Sequence, residues 1–183
     1  HISHKLSIDL AAFYSEYKDL VAFSGIPEGI AGNIADGTTY GVEAALTYTP
    51  LEDWKLIASY TYTDVEIDFN GEVGTAVNPS EPFYGAGETM TAPHKFSIRP
   101  YYSVTKDIHS DVMAHYMDNR TLTGFIEEPI NSYIKVDVRL GWHMTDKTEI
   151  SLHGYNLLSP SHEEASSFAE VPRSFYIMLT HKF

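Results

Sequence analysis

The chain contains no cysteine, which excludes disulfide staples and thiolate metal sites. It is short of positive charge. Lys+Arg total 12 against 25 Asp+Glu, a formal net charge of -13, so the basic footprint of a nucleic-acid binder is missing. It has no apolar run of about 18 residues and therefore no membrane-crossing helix. That absence leaves barrel strands open, because they alternate apolar and polar residues and hardly raise the mean hydropathy, here -0.20. Tryptophan is scarce, with 2 residues, but 13 Tyr and 9 Phe bring the aromatic share to 13%. A disordered acidic chain would be poor in aromatics, so this one folds. Its 183 residues are enough for one domain or for a piece of a larger one. The opening His1-Ile2-Ser3-His4-Lys5 has no basic region, apolar core or small-residue cleavage site of a signal peptide. The chain is expected to start either as a cytosolic protein or within something longer.

What is present is a period of two. Leu6, Ile8, Leu10, Ala12 and Tyr14 alternate with Ser7, Asp9 and Ser15. Tyr40 to Tyr48, Trp54 to Tyr62, Phe96 to Tyr102, Val112 to Tyr116, Ile134 to Trp142, Ile150 to Leu152 and Phe175 to Leu179 repeat the pattern. Helical spacing would mix the two sets. The pattern predicts an all-β chain of about eight strands. Most are near the roughly 9–11 residues with which a tilted strand crosses a bilayer, above the soluble mode of about 5–6.

The connections alternate in length. Pro50–Asp53, Thr105–Asp107 and Thr145–Lys147 are tight polar turns, whereas Leu20 to Thr38, Phe69 to Pro93, Thr121 to Ser132 and Ser159 to Pro172 are long. This rhythm is that of an antiparallel up-and-down transmembrane β-barrel with short periplasmic turns and long external loops. Phe183 then ends on the short-turn side. Trp54 and Trp142 beside short turns, and Tyr14, Tyr40, Tyr62 and Tyr116 toward the long loops, fit two interfacial aromatic belts. A soluble β-sandwich or lipocalin-like barrel is the alternative, with shorter strands and the apolar face in its core.

Seven segments resemble one family in its own order. Leu10-Ala11-Ala12-Phe13-Tyr14 through Leu20 is similar to an opening strand. Tyr40-Gly41-Val42-Glu43 begins the next, and Trp54-Lys55-Leu56 with Ser59–Thr63 follows as a hairpin strand. Ala92-Pro93-His94-Lys95-Phe96 resembles a re-entry, Tyr133–Trp142 a strand with Asp137 and Arg139 in place, and Asn156-Leu157-Leu158 a strand end. Glu170–Tyr176 through Phe183 resembles the closing strand. The family is that of the TonB-dependent outer-membrane receptors. His181 departs from it, since a large apolar residue is usual there.

The resemblance implies a barrel of about 22 strands around a plug, of which this chain supplies about the last eight. Residues 1–183 are then a carboxy-terminal barrel segment without plug, TonB box or signal peptide. The parent protein would sit in the outer membrane of a Gram-negative bacterium and import a scarce ligand, above all a ferric siderophore, powered by TonB. Implied partners are outer-membrane lipid and lipopolysaccharide, the TonB complex through the plug, the iron–siderophore ligand, and the barrel-assembly machinery. The last would read the terminal stripe Phe175, Ile177, Leu179 and Phe183. The alternatives are an autonomous eight-stranded outer-membrane barrel acting as anchor or adhesin, and a barrel enzyme.

No nucleophile–base set supports an enzyme. Ser110 and His109 point to opposite faces, and Ser161-His162-Glu163 is expected in a loop without a scaffold. No cofactor is implied. His109, Asp111 and His115 share one face, as do Lys135, Asp137 and Arg139. At about 3.3 Å rise per residue the two histidines stand too far apart to chelate one metal, so all six are expected to line a wet, well-solvated lumen. Glu72, Glu81, Glu88, Glu127, Glu128, Glu163, Glu164 and Glu170 form either a cation-attracting mouth or, the preferred expectation, solvated loop acids near lipopolysaccharide and its divalent ions. Phe69, Phe83, Tyr84, Phe125 and Phe168 are the expected external ligand contacts, because aromatics are costly to expose without purpose.

Overall fold

In the computed structural model, residues 3–24, 30–69, 89–122, 128–166 and 169–183 are described. Eight strands form one antiparallel sheet in the order β1 (Leu6–Ser24), β2 (Ile30–Leu51), β3 (Trp54–Phe69), β4 (His94–Ser103), β5 (Ile108–Met117), β8 (Tyr133–Thr145), β9 (Thr148–Tyr155) and β12 (Ser174–His181). Every sheet neighbour is also the nearest sheet strand in sequence, as an up-and-down wall requires. Among the described residues no pairing joins β1 to β12, so the sheet is an open wall rather than a closed small barrel.

The alternation read from the sequence is the alternation of the two faces. Leu10 is 77% and Ile177 73% exposed on the apolar face, with Val42, Phe96, Leu140, Leu152 and Phe175 alongside. Among the described residues the buried apolar side chains are only Ala35, Ala92 and Ile130. A sandwich or a soluble barrel would bury that apolar face in a core. A single wall that leaves it bare is built for an apolar solvent, since contiguous apolar surface of this extent is not left against water.

Two expectations are corrected. The connections read as long loops contain ladder. β1 and β2 stay paired to Ser24↔Ile30, beyond a bulge between Tyr17 and Val21. There Asp19 takes φ 57 and its N–H donates to Asp36 Oδ1 at 3.1 Å. The bulge absorbs the residue that would break the register, so the hairpin runs on where the Gly and Asn content suggested a loop. β6 (Arg120–Leu122) pairs with β7 (Glu128–Ile130), and β10 (Ser161–Ser166) with β11 (Ala169–Pro172), making short ribbons in two of the other three connections. The second correction is strand length. β2 has 22 residues, which at about 3.3 Å each is on the order of 70 Å, far more than a crossing needs. The first three strands therefore project beyond the apolar band.

Register is pinned by rings lying over glycines. Phe13 faces Gly41, His109 faces Gly141 and Phe175 faces Gly154 as direct cross-strand partners, and a Cβ at each glycine would collide with or crowd the ring. A ring over a bare glycine is a device that fixes strand pairing.

Candidate functional site

In β5, β8 and β9 the charged side chains stand on the polar face. His109, Asp111, His115, Lys135, Asp137 and Arg139 all stand on it. The β5–β8 register pairs His115 with Lys135, Asp111 with Arg139 and His109 with Gly141. Five of the six, all but His115, have hydrogen-bond partners for their side chains. Arg99 Nε donates to Asp111 Oδ1 at 2.8 Å, and its Nη2 reaches the second carboxylate oxygen, a bidentate pair. Arg139 is shared. One amine donates to His109 Nε2 at 2.7 Å and the other pairs with Glu149. His143 Nε2 lies 3.2 Å from the other oxygen of Glu149. Four strands thus meet in one network, since the His109 ring also stacks on Tyr101 of β4. Among the described residues no group of three or more His, Cys, Asp or Glu is placed to hold a metal.

Toward β12 the same face becomes aromatic. The His153 and Tyr176 rings stack at 4.4 Å, and the Tyr155 and Tyr176 hydroxyls are 2.6 Å apart. A cavity of about 240 Å³ opens between Arg99, Asp111, Asp137, Arg139, His153 and Tyr155.

A second cluster sits at the long-loop rim. Lys135 Nζ is 3.2 Å and His162 Nε2 2.7 Å from Glu164 Oε1, while Arg120 donates to the Glu164 backbone carbonyl. The His162 ring packs on Tyr133, with centroids 4.4 Å apart. Glu164, expected as a solvated loop acid, is instead tied to β6 and β8 and to His162 of its own strand. Burial pushes its carboxyl up, but the hydrogen bonds from His162 and Lys135 and their charges outweigh that and hold it below the ordinary glutamate range. Ser161-His162-Glu163, expected to lack a scaffold, opens strand β10. His162 nevertheless pairs with Glu164 and not with Ser161, so no nucleophile–base pair forms there.

Asn156, fully buried and at φ 52, ties the rim to the wall. Its N–H donates to Asp137 Oδ1 at 2.9 Å and its side-chain amide to the Val171 carbonyl at 2.8 Å.

Of the expected external contacts, Phe69 is the last residue of β3. Phe83, Tyr84, Phe125 and Phe168 lie outside the described residues, as do Glu72, Glu81, Glu88 and Glu127. Glu128 opens β7. Phe175, Ile177, Leu179 and Phe183 are exposed along one face of the terminal segment. His181, the odd residue in that stripe, meets Thr148 Oγ1 at 2.9 Å on β9. Sequence reasoning missed Arg99, Glu149, His153, Tyr155, Tyr176, Arg120 and Asn156 as members of these clusters. Strand parity already put Arg99, Glu149 and His153 on the polar face; the cross-strand register that joins them was not legible.

Residues 3–157 match the family model described as TonB dependent receptor-like, beta-barrel. A pesticin receptor of Yersinia enterocolitica is 28% identical over 162 residues, which are 83% of this chain and 22% of that protein. The chain therefore spans about a fifth of the length of that curated relative. Among solved structures, the siderophore receptor PiuA from Acinetobacter baumannii superposes with a TM-score of 0.78 at 18% identity, over 98% of this chain and 26% of that one. The FrpB iron transporter from Neisseria meningitidis gives 0.75 at 12% identity, over 99% and 30%. The ferric-catecholate import receptor Fiu from E. coli K12 gives 0.72 at 18%, over 100% and 26%. At these identities the likeness is one of fold.

Proposed function

The chain belongs to the TonB-dependent receptor β-barrel family, and from that membership we propose that it is the carboxy-terminal part of the wall of a receptor in the outer membrane of a Gram-negative bacterium. The parent takes up a scarce ligand, a ferric siderophore, by active transport powered through TonB. The observation that carries this reading is the family match over residues 3–157 on an open eight-stranded wall with one bare apolar face. The names of the similar solved structures favour iron and siderophores, and one of them is a ferripyoverdine receptor bound to its ligand.

In this role the apolar face meets lipid and the polar face lines the lumen, where Arg99–Asp111 and Arg139–Glu149 neutralise each other instead of attracting counter-ions. The rim cluster around Glu164 fixes a ribbon at the external mouth. Phe69, Phe83, Tyr84, Phe125 and Phe168 supply loop contacts to the ligand. Phe175, Ile177, Leu179 and Phe183 form the stripe read by the assembly machinery. The wall is structural and carries no reaction.

The test is uptake of radiolabelled ferric siderophores by cells carrying the full-length gene, with and without TonB. Uptake that needs TonB supports the reading. Passage that does not need it makes the parent a passive pore.

A further inference from the structure

We propose that the hydroxyl pair Tyr155–Tyr176 on the polar face, with Asp137 beside it, is a site for a ferric ion that has open coordination positions, bare or in a weak chelate. It rests on the reading of the polar face as the lumen lining of an iron-importing receptor, and it adds a place for the metal itself.

Tyr155 of β9 and Tyr176 of β12 stand one register step apart, Tyr155 opposite Ser174 and Tyr176 opposite His153. Their rings stack with centroids 5.4 Å apart, and their hydroxyl oxygens converge to 2.6 Å. An octahedral metal with oxygen ligands at about 2.0 Å places neighbouring oxygens about 2.8 Å apart. The pair is therefore already close to the bite of one ion. The His153 ring stacks on Tyr176 at 4.4 Å, and its Nε2 meets Ser151 Oγ at 2.9 Å. His153 thus acts as a positioning residue for the phenol. Tyr176 is 44% exposed, so an ion reaches the oxygens from the lumen without rearrangement.

Asp137 supplies a third oxygen. It lies on β8 one residue beyond the Val138↔Gly154 pair, as Tyr155 does on β9, and both line the same cavity of about 240 Å³. One Asp137 oxygen accepts the Asn156 N–H, and the other keeps its lone pairs. The neighbouring guanidinium groups are engaged, Arg99 with Asp111 and Arg139 with Glu149.

The donor set selects the metal. Phenolate and carboxylate are hard anionic oxygen donors and suit a hard cation, and tyrosine is an axial ligand of haem iron as well. Two phenolates and one carboxylate together balance a trivalent ion. Ligation releases both phenolic protons, so binding strengthens as pH rises. The site needs no group of three His, Cys, Asp or Glu, of which there is none among the described residues. The lipid-side tyrosines differ, since Tyr14 and Tyr116 give their hydroxyls to Glu16 and Asp118. In the lumenal pair one hydroxyl accepts from the other, and the second proton has no acceptor within the pair.

The test titrates the purified full-length receptor with ferric nitrilotriacetate, a weak chelate that leaves coordination positions open. Iron held by tyrosinate shows a visible phenolate-to-iron charge-transfer band, and the wild type is expected to develop it as a single ferric ion binds. Tyr155→Phe and Tyr176→Phe keep the rings and remove the oxygens. Each should lose the band, with folding checked by the heat-modifiable migration of the barrel. Asp137→Asn should keep the band and bind iron about tenfold more weakly. No band in the wild type, or a band unmoved in either Phe variant, overturns the site. An affinity unmoved in Asp137→Asn overturns the three-oxygen set. TonB-dependent uptake of radiolabelled ferric siderophores is measured alongside. Uptake without a band overturns the ferric-ion site alone, and a band without uptake of any ferric siderophore overturns the uptake reading and leaves the site.

Discussion

The imidazole of His109 on β5 lies over the bare Cα of Gly141, its cross-strand partner on β8, in space that any Cβ would claim. The ring cannot easily retreat, because Arg139 holds its Nε2 and Tyr101 and His143 flank it. Gly141→Ala is therefore expected to destabilise the folded wall by about 1–3 kcal/mol, the usual cost of overpacking. His109→Ala in the same background should return part of that loss. A double-mutant cycle on unfolding of the full-length barrel in detergent checks it, and strictly additive effects would refute the contact.

The Arg139–Glu149 pair is partly buried on both sides, and Arg139 also serves His109. Removing one partner strands the other. Glu149→Gln or Arg139→Met alone should cost about 1–3 kcal/mol, the range for hydrogen bonds to charged groups. The double variant should cost less than the sum of the two. Unfolding midpoints of the four proteins at one salt concentration measure it.

Ile177 on β12 and Val136 on β8 carry the apolar alternation within their strands. Arg at either position is expected to cost about 2–4 kcal/mol in a bilayer and to lower the yield of assembled barrel. Arg in place of His115, on the polar face of β5, should be tolerated. The fraction of protein resistant to surfactant without boiling distinguishes the two faces.

The depressed Glu164 carboxyl gives the rim a pH dependence of definite sign. A group whose folded pKa lies below its unfolded value contributes stability in full above the ordinary glutamate range, and that contribution is lost as pH falls through the depressed folded value. Acid should therefore loosen the β10–β11 ribbon before the wall. Hydrogen exchange of β10 and β11 amides, compared between neutral pH and a pH below the ordinary glutamate range, reads it. Glu164→Gln should exchange faster at neutral pH and lose most of the difference between the two.

Much of the wall was legible because strand parity is local. Leu6, Ile8 and Leu10, or Ile134, Val136 and Val138, announce a face without reference to any other strand. Partnership is not local. Asp111 and Arg139 were assigned to the same lumen, but their opposition follows from a register that only the assembled β5–β8 ladder fixes. Arg99 then takes Asp111 from the other side, and Arg139 turns to Glu149 and His109. The ribbon at Ser161–Pro172 was hidden for a different reason. Its Ser, Glu and Pro content reads as loop, while its order comes from Lys135, Arg120 and Tyr133, all more than 25 residues away in sequence. Asn156 opens the Asn-Leu-Leu strand end, yet nothing in that tripeptide says that its amide reaches Val171.

That amide has a mechanical consequence. Asn156 holds Asp137 of the wall through its main chain and Val171 of the ribbon through its side chain, and it has no exposed surface at which to slip. Asn156 is thus a buried tie between wall and ribbon, added to the Lys135–Glu164 and Tyr133–His162 contacts. Displacing the ribbon would therefore strain the β8 ladder beside Arg139, and displacing that ladder would strain the ribbon. Losing the Asn156 amide would leave the ribbon held to β8 only by its more exposed contacts, so ribbon and wall would part first at that buried joint.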